Sequence, residues 1–417
     1  MYRERIQEKT LKRYLGIFKA VSVVGPKYSG KTTLAERFAK SSLYVNARNL
    51  EENKTLFHLN PEVFFEGETP KLIDEWQLIP AIWDDVRSIV DTREGRGHFI
   101  LTGSSAANYD DTTHSGAGRI GSLVLRPMSL YESAVSSGKV SLSELFDGLG
   151  CGVKKSNVTV KDYATWIIKG GWPEGIDDSE EDAITKMDGY LDALLRQDIN
   201  KVSGKKFNEV RARKILESLA RYTATEATNK SIQRDLETLE TTTATNTLID
   251  YLEALQKLYI LEDLKPWNPN LRSKTVIRSA TARFFVDPSI AAAALNVNSS
   301  KLMKDFNTFG AFFECMAIRD IRTYSESISG KVYRYKDKTG LEIDTIVQLQ
   351  DGRWGAIEVK MGSHLFDDAA EKLKNFASKV DIEKMGKPSF LAIVSATENA
   401  YQREDGVFII PLGLLKN

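Results

Sequence analysis

Four small sets of residues in this chain have types and spacing that could do chemistry. The first is Gly25-Pro-Lys-Tyr-Ser-Gly30-Lys31-Thr32-Thr33, which follows the apolar run Ala20–Val24. Two bracketing glycines let backbone N–H groups turn inward around an anion, and a helix starting at Lys31 would add the positive end of its dipole. Lys31 can reach the β- and γ-phosphates of a nucleotide, and the Thr32 hydroxyl can hold Mg²⁺. Pro26, Lys27, Tyr28, Ser29 and Thr33 complete the cradle, so ATP and Mg²⁺ are the expected ligands. The second set is Lys71-Leu-Ile-Asp74-Glu75, a carboxylate pair after a short apolar run. Asp74 would hold the metal's hydration shell and Glu75 would act as general base on an attacking water. The third is the end of His98-Phe-Ile-Leu-Thr102-Gly103-Ser104. There Thr102 or Ser104 could orient water against the γ-phosphate, or could simply cap the strand.

The fourth set lies far along the chain. Asp344 is followed fourteen residues later by Glu358-Val-Lys360. A period of two puts Glu358 and Lys360 on one face of a strand, and Asp344 can face them from the neighbouring strand of a hairpin. This is the D…E-x-K arrangement of metal-dependent nucleases: two carboxylates for Mg²⁺ and a lysine to position water. Glu314, on the preceding helix, would add one more acid. Glu and Lys often alternate on exposed strands for solubility alone, but Ala356-Ile-Glu-Val-Lys360 is an apolar setting.

Elements must hold these groups in place. In residues 1–150, Val21–Val24, Leu43–Asn46, Lys71–Asp74 and His98–Thr102 read as strands buried on both faces. Helical patterns lie between them, around 32–41 and 80–91. That alternation implies a parallel sheet with right-handed crossovers. A polar stretch from Tyr109 to Gly121 reads as a loop. Residues 151–275 read as mainly helical. Arg211–Tyr222 and Thr247–Leu258 carry apolar residues at helical spacing. With Ser231–Leu236, this region resembles a winged helix, 247–258 being the recognition-type helix and Tyr259–Leu264 the wing strand. The basic footprint of a DNA reader is thin there.

From residue 276 the pattern is α+β. A strand is expected at Ala282–Asp287 and a long helix at Phe306–Tyr324. Strands follow at Lys331–Lys336, Glu342–Leu349 and Gly355–Lys360, then a charged helix over 367–379 and strands at Phe390–Val394 and Val407–Ile410. The expected fold class is therefore α/β, a P-loop parallel sheet followed by a helical region and an α+β domain.

Composition narrows the class further. The 417 residues hold 57 Lys+Arg against 57 Asp+Glu, so any nucleic-acid-binding surface must be local. With 42% apolar residues the chain can bury sizeable cores. Two distant cysteines, Cys151 and Cys315, exclude a disulfide framework and fit a reducing, cytoplasmic setting. No secretory leader or membrane-spanning run is seen, so no membrane partner is expected.

The first three motifs, in this order, resemble an AAA-type ATPase domain. The likeness is to a bacterial and archaeal family of ATP-binding proteins. There an AAA domain precedes a helical region and a C-terminal domain of long-unknown function related to restriction-endonuclease-like folds. Further matches are Ser115-Gly-Ala-Gly118-Arg119, Leu125-Arg-Pro-Met-Ser-Leu-Tyr-Glu132, Gly170-Gly-Trp-Pro-Glu174, Tyr190–Ile199 and Phe284-Phe-Val-Asp-Pro-Ser289. The resemblance implies that Arg119 senses the γ-phosphate, in cis or from a neighbouring subunit, with Arg93 and Arg96 as competitors. It implies an Mg²⁺-dependent ATPase whose nucleotide state drives the later domains. The alternatives are an ATP-gated DNA nuclease or an ATP-switched regulator. DNA, a protein partner and a homo-oligomer stay open.

Overall fold

The computed structural model describes residues 2–46, 48–104, 115–225, 227–238, 243–269 and 282–417. Its first sheet is built from the apolar runs of the N-terminal third. β1 (Ala20–Val24), β2 (Ser41–Tyr44), β3 (Lys71–Asp74), β4 (Phe99–Gly103) and β5 (Ile120–Val124) are all parallel, in the order β2-β3-β4-β1-β5. β1 and β4 are buried at every position, as strands covered on both faces must be. Val21, Val23, Leu72 and Ile100 pack on one face with Leu11 and Leu34. Ala20, Ile73, Phe99 and Leu101 pack on the other with Trp76, Ile82 and Trp83.

Two expectations need correction here. β2 starts at Ser41, and its residues alternate between half-buried and exposed, because it is the edge of the sheet and is covered on one face only. The polar stretch expected to be loop as far as Gly121 instead supplies the start of β5. Gly121 fits there because a Cβ would lie 2.3 Å from the Phe18 ring. The rest of that stretch, through His114, falls outside the described residues.

After the first sheet come two short strands, β6 (Val140–Ser141) and β7 (Lys154–Lys155). Helices then run over Val160–Lys169 and Glu180–Ala193. The second continues through a π-helical turn, Leu194–Asp198, into Ile199–Ser203. Three more helices, Glu209–Arg221, Asn229–Thr238 and Thr245–Lys257, precede an antiparallel pair, β8 (Leu261–Leu264) and β9 (Ala282–Phe285). The helix Thr245–Lys257 presents Glu253 to solvent, a charge that repels phosphate, and its Asp250 pairs with Lys205 at 2.7 Å.

The long helix spans Phe306–Ser327. It leads into the antiparallel strands β10 (Gly330–Lys336), β11 (Glu342–Leu349) and β12 (Trp354–Lys360), then the helix Phe366–Lys379. β13 (Phe390–Ser395), β14 (Asn399–Gln402), β15 (Phe408–Pro411) and β16 (Leu415–Lys416) complete the chain order. Seven strands form one mixed sheet, β10-β11-β12-β13-β15-β14-β7, and β16 pairs in parallel with β6. One apolar core runs from Leu130 to Leu415 and also takes in Ile6, so it crosses residue 150. Residue 275 falls outside the described residues. Among the described residues no helix is long and apolar enough to cross a membrane.

Candidate nucleotide site and C-terminal charge cluster

Parallel strands deliver the ends of β1, β3 and β4 to one edge of the sheet, with Val23 and Asp74 both in register with Thr102. The loop after β1 turns on Gly25 (φ 148°) and Gly30 (φ 88°). A Cβ on Gly25 would lie 2.2 Å from the Leu125 carbonyl oxygen, so the backbone approaches there as only glycine allows. Lys31, first residue of the helix Lys31–Glu36, is buried and donates to the Pro26 carbonyl at 2.8 Å. Burial pushes its pKa down to about 8; Glu75 and Asp74 pull it up and Lys27 adds to the lowering.

The Thr32 hydroxyl donates to Asp74 Oδ1 at 2.7 Å, and the Thr102 hydroxyl donates to the same oxygen. Thr32 and Asp74 are hard oxygen donors already in contact, a pair that fits Mg²⁺, which takes few protein ligands and otherwise keeps water and phosphate. Glu75 follows in the left-handed region (φ 55°), a strained conformation for a side chain of its size. Its Oε2 accepts from Gln77 Nε2 at 2.5 Å and from Ser104 Oγ at 3.3 Å. The side chain is thus aimed by two donors. Ser29 is buried and Thr33 exposed.

Arg119 is not at this edge. It precedes β5, and its carbonyl accepts from the Lys19 and Ala20 N–H groups at the start of β1. A strand of five residues lies between that end and the phosphate loop, roughly 13 Å at 3.3 Å per step. Its side chain is 45% exposed and pairs with Asp91 at 2.8 Å. The cis reading is therefore corrected: parallel pairing puts the start of β5 at the opposite end of the sheet. Arg93 and Arg96 share that end, bonded to the Phe65 and Gly16 carbonyls.

Sequence reasoning missed several partners. Lys27 Nζ lies 2.7 Å from Asp198 Oδ1, and Tyr28 meets Tyr190 edge to face. Gln77, two residues past Glu75, was also unread. Tyr190 and Asp198 come from another element, and only the Tyr190–Ile199 tract gave a signal.

At the other end of the chain, Asp344, Glu358 and Lys360 do come together. Lys360 Nζ sits 3.0 Å from Asp344 Oδ2 and 2.9 Å from Glu358 Oε2. A further lysine, Lys372 on the helix Phe366–Lys379, lies 2.9 Å from Glu358 Oε1. Asp344 Oδ2 also accepts from the Val359 N–H, and Glu358 Oε1 from the Asp344 N–H. Burial raises the Asp344 carboxyl, but the two lysines outweigh it and leave it below its ordinary range. Burial, then the Asp344 charge, pushes Glu314 well up, and the same causes raise Glu358. Among the described residues no three His, Cys, Asp or Glu side chains are disposed to hold a metal ion. As arranged, the carboxylates are satisfied by lysines and backbone and do not fit Mg²⁺.

Two separate sets of ion pairs tie the long helix to other elements. Arg126 bonds Glu262 and Glu326, each at 2.8 Å. Asp287 accepts from the Gly171 N–H at 3.0 Å and pairs with Arg319 at 2.7 Å. Arg319 also pairs with Asp320, which accepts from the Leu130 N–H. Trp172 Nε1 donates to Ser289 Oγ at 2.9 Å. The long helix carrying Arg319, Asp320 and Glu326 also carries Glu314.

Comparison with known proteins adds to this geometry. Residues 18–134 match the AAA domain, and residues 160–301 and 309–415 match two domains of unknown function (DUF8612 and DUF4143). The chain is 23% identical over 410 residues to an uncharacterized protein of Mycobacterium tuberculosis and to one of Mycobacterium bovis, over 96% of this chain and 82% of each relative. It is also similar to a solved Walker-type ATPase of Pyrococcus abyssi, at 13% identity and a TM-score of 0.44, over 70% of this chain and 96% of that one. The five-stranded parallel sheet with its phosphate loop fits the P-loop NTPase fold, in agreement with the AAA match over residues 18–134.

Proposed function

We propose that this protein binds and hydrolyses ATP with Mg²⁺ at the edge formed by β1, β3 and β4, and that the nucleotide's state is passed to the C-terminal domain. The observation that carries the reading is the convergence of the Thr32 and Thr102 hydroxyls on one carboxylate oxygen, Asp74 Oδ1. Thr32 and Asp74 would hold Mg²⁺, which when bound offsets charge on the phosphates. Lys31 and the N–H groups of Gly25–Thr33 hold the phosphates. Glu75, oriented by Gln77 and Ser104, takes the proton of the attacking water. Arg119 faces away from its own site, so in this reading it serves the site of a second copy. The buried pairs through Asp287, Arg319 and Arg126 are the mechanical route from Trp172 to the long helix.

Two variants test the site. Lys31→Ala should abolish nucleotide binding in a titration. Glu75→Gln should keep binding and lower turnover by about 10²–10⁴-fold, the usual worth of a general base. ATP bound by Lys31→Ala as tightly as by the unaltered chain, or full turnover by Glu75→Gln, would sink the assignment.

A second reading is favoured by the meeting of Asp344, Glu358 and Lys360 beside Glu314. The order of long helix, β10-β11-β12, helix and β13 supports a nuclease-like domain in which Lys360 and Lys372 hold the Asp344 and Glu358 carboxylates. Plasmid cleavage in Mg²⁺ or Mn²⁺ that needs ATP and disappears in Asp344→Ala would establish that role. No cleavage by the unaltered chain leaves the cluster as a charge-paired structural element.

A further inference from the structure

Lys27 lies inside the phosphate loop, yet its ammonium is held by the helical region, 2.7 Å from Asp198 Oδ1. Asp198 is buried and ends the π-helical turn Leu194–Asp198, a rare conformation found often at functional sites. Lys27 and Lys31 belong to the same loop, Gly25–Thr33, and the Lys27 charge adds to the lowering at Lys31. Lys27, Tyr28, Tyr190 and Asp198 line one cavity of about 400 Å³, room for the lysine stem to turn.

Tyr190 supplies the other half of the arrangement. Its hydroxyl is buried without a hydrogen-bond partner. Burial and then the charge of Asp198 hold its proton on, which places that carboxylate within electrostatic reach. A buried donor with no acceptor is costly, and Asp198 is the carboxylate whose charge acts on it.

We propose that Lys27 is a second phosphate-reading cation, exchanged between Asp198 and the terminal phosphate of a nucleoside triphosphate, and that the Tyr190 hydroxyl turns onto Asp198 when the lysine leaves. The inference rests on reading Gly25–Thr33 as a nucleotide cradle. ADP brings no γ-phosphate to draw the lysine away, so Lys27 sets the preference for ATP over ADP. The helix Glu180–Ala193 and its π-helical turn thereby register which nucleotide is bound.

Calorimetric titration of the full chain with MgATP and MgADP tests this. Lys27→Met should weaken ATP about tenfold and leave ADP within about twofold, the loss of one charge-assisted contact. Asp198→Asn should tighten ATP about threefold by removing the competing carboxylate, again sparing ADP. Tyr190→Phe should weaken ATP relative to ADP by removing the replacement donor. An unchanged ATP-to-ADP ratio in Lys27→Met overturns the proposal. If Lys27→Met does not fold, Asp198→Asn decides, and no gain for ATP over ADP overturns it. Full-strength binding of both nucleotides by Lys31→Ala is a separate result that strikes the cradle reading instead.

Discussion

Lys31 makes the candidate site sensitive to pH in a direction that can be worked out. Its pKa falls from 10.5 to about 8 on folding, because burial penalises the ammonium. Between those values the unfolded chain binds more protons than the folded one, so this group lets stability rise with pH from about 8 to about 10.5. Nucleotide binding runs the other way, since phosphate favours the ammonium. ATP affinity should fall by up to about tenfold per pH unit above about pH 8, as one proton is taken up on binding. Titrations between about pH 7 and pH 9.5 check this, and Lys31→Arg, which stays charged, should flatten the profile. An affinity independent of pH in the unaltered chain would contradict the assignment. At this scale the sequence was legible where chemistry is local: Gly25, Lys31, Thr32, Asp74 and Glu75 are fixed by spacing along two loops. Asp198 and Lys372 were not, because a partner's identity depends on which distant element folds against it.

Elements were legible where apolar runs are long and doubly covered, as in β1, β4 and β12. β2 was misjudged because an edge strand is buried on one face and its pattern is diluted by Ser41 and Ser42. β5 was missed because Ile120-Gly-Ser-Leu-Val124 has a glycine and a serine at its centre; the Phe18 ring packed on Gly121 explains the glycine, and Ser122 faces solvent. Gly171 offers a test at this scale. A Cβ there would lie 2.0 Å from the Met128 carbonyl oxygen, and the Met128 N–H donates to the Gly171 carbonyl at 2.6 Å. Gly171→Ala should therefore destabilise the protein by about 1–3 kcal/mol through forced backbone displacement. The midpoint of thermal unfolding should drop, and an unchanged midpoint would contradict the contact.

For the whole molecule, the position of Arg119 at the far end of the sheet sets a prediction about copies. Arg119→Ala should lower turnover about a thousandfold, as loss of a finger arginine does, while leaving ATP binding intact. Mixing that variant with Glu75→Gln should restore measurable turnover, because each lacks what the other offers across an interface. Full activity of Arg119→Ala alone, or no recovery on mixing, would remove the arginine from the mechanism. The division into three stretches is an expectation drawn from the change of periodicity. The shared core from Leu130 to Leu415 was not legible in the sequence, since no local pattern announces which distant surfaces will meet. That sharing has a consequence for how the molecule is made. Residues Val140–Ser141 find their strand partner only in Leu415–Lys416, and the Ser136 hydroxyl donates to the Leu415 carbonyl 279 positions later. On the ribosome the phosphate loop and its sheet can form early, but the seam that ties them to the rest stays open until the final strand emerges. A product truncated before Leu415 would therefore leave Val140–Ser141 without its strand partner while the phosphate loop is already in place.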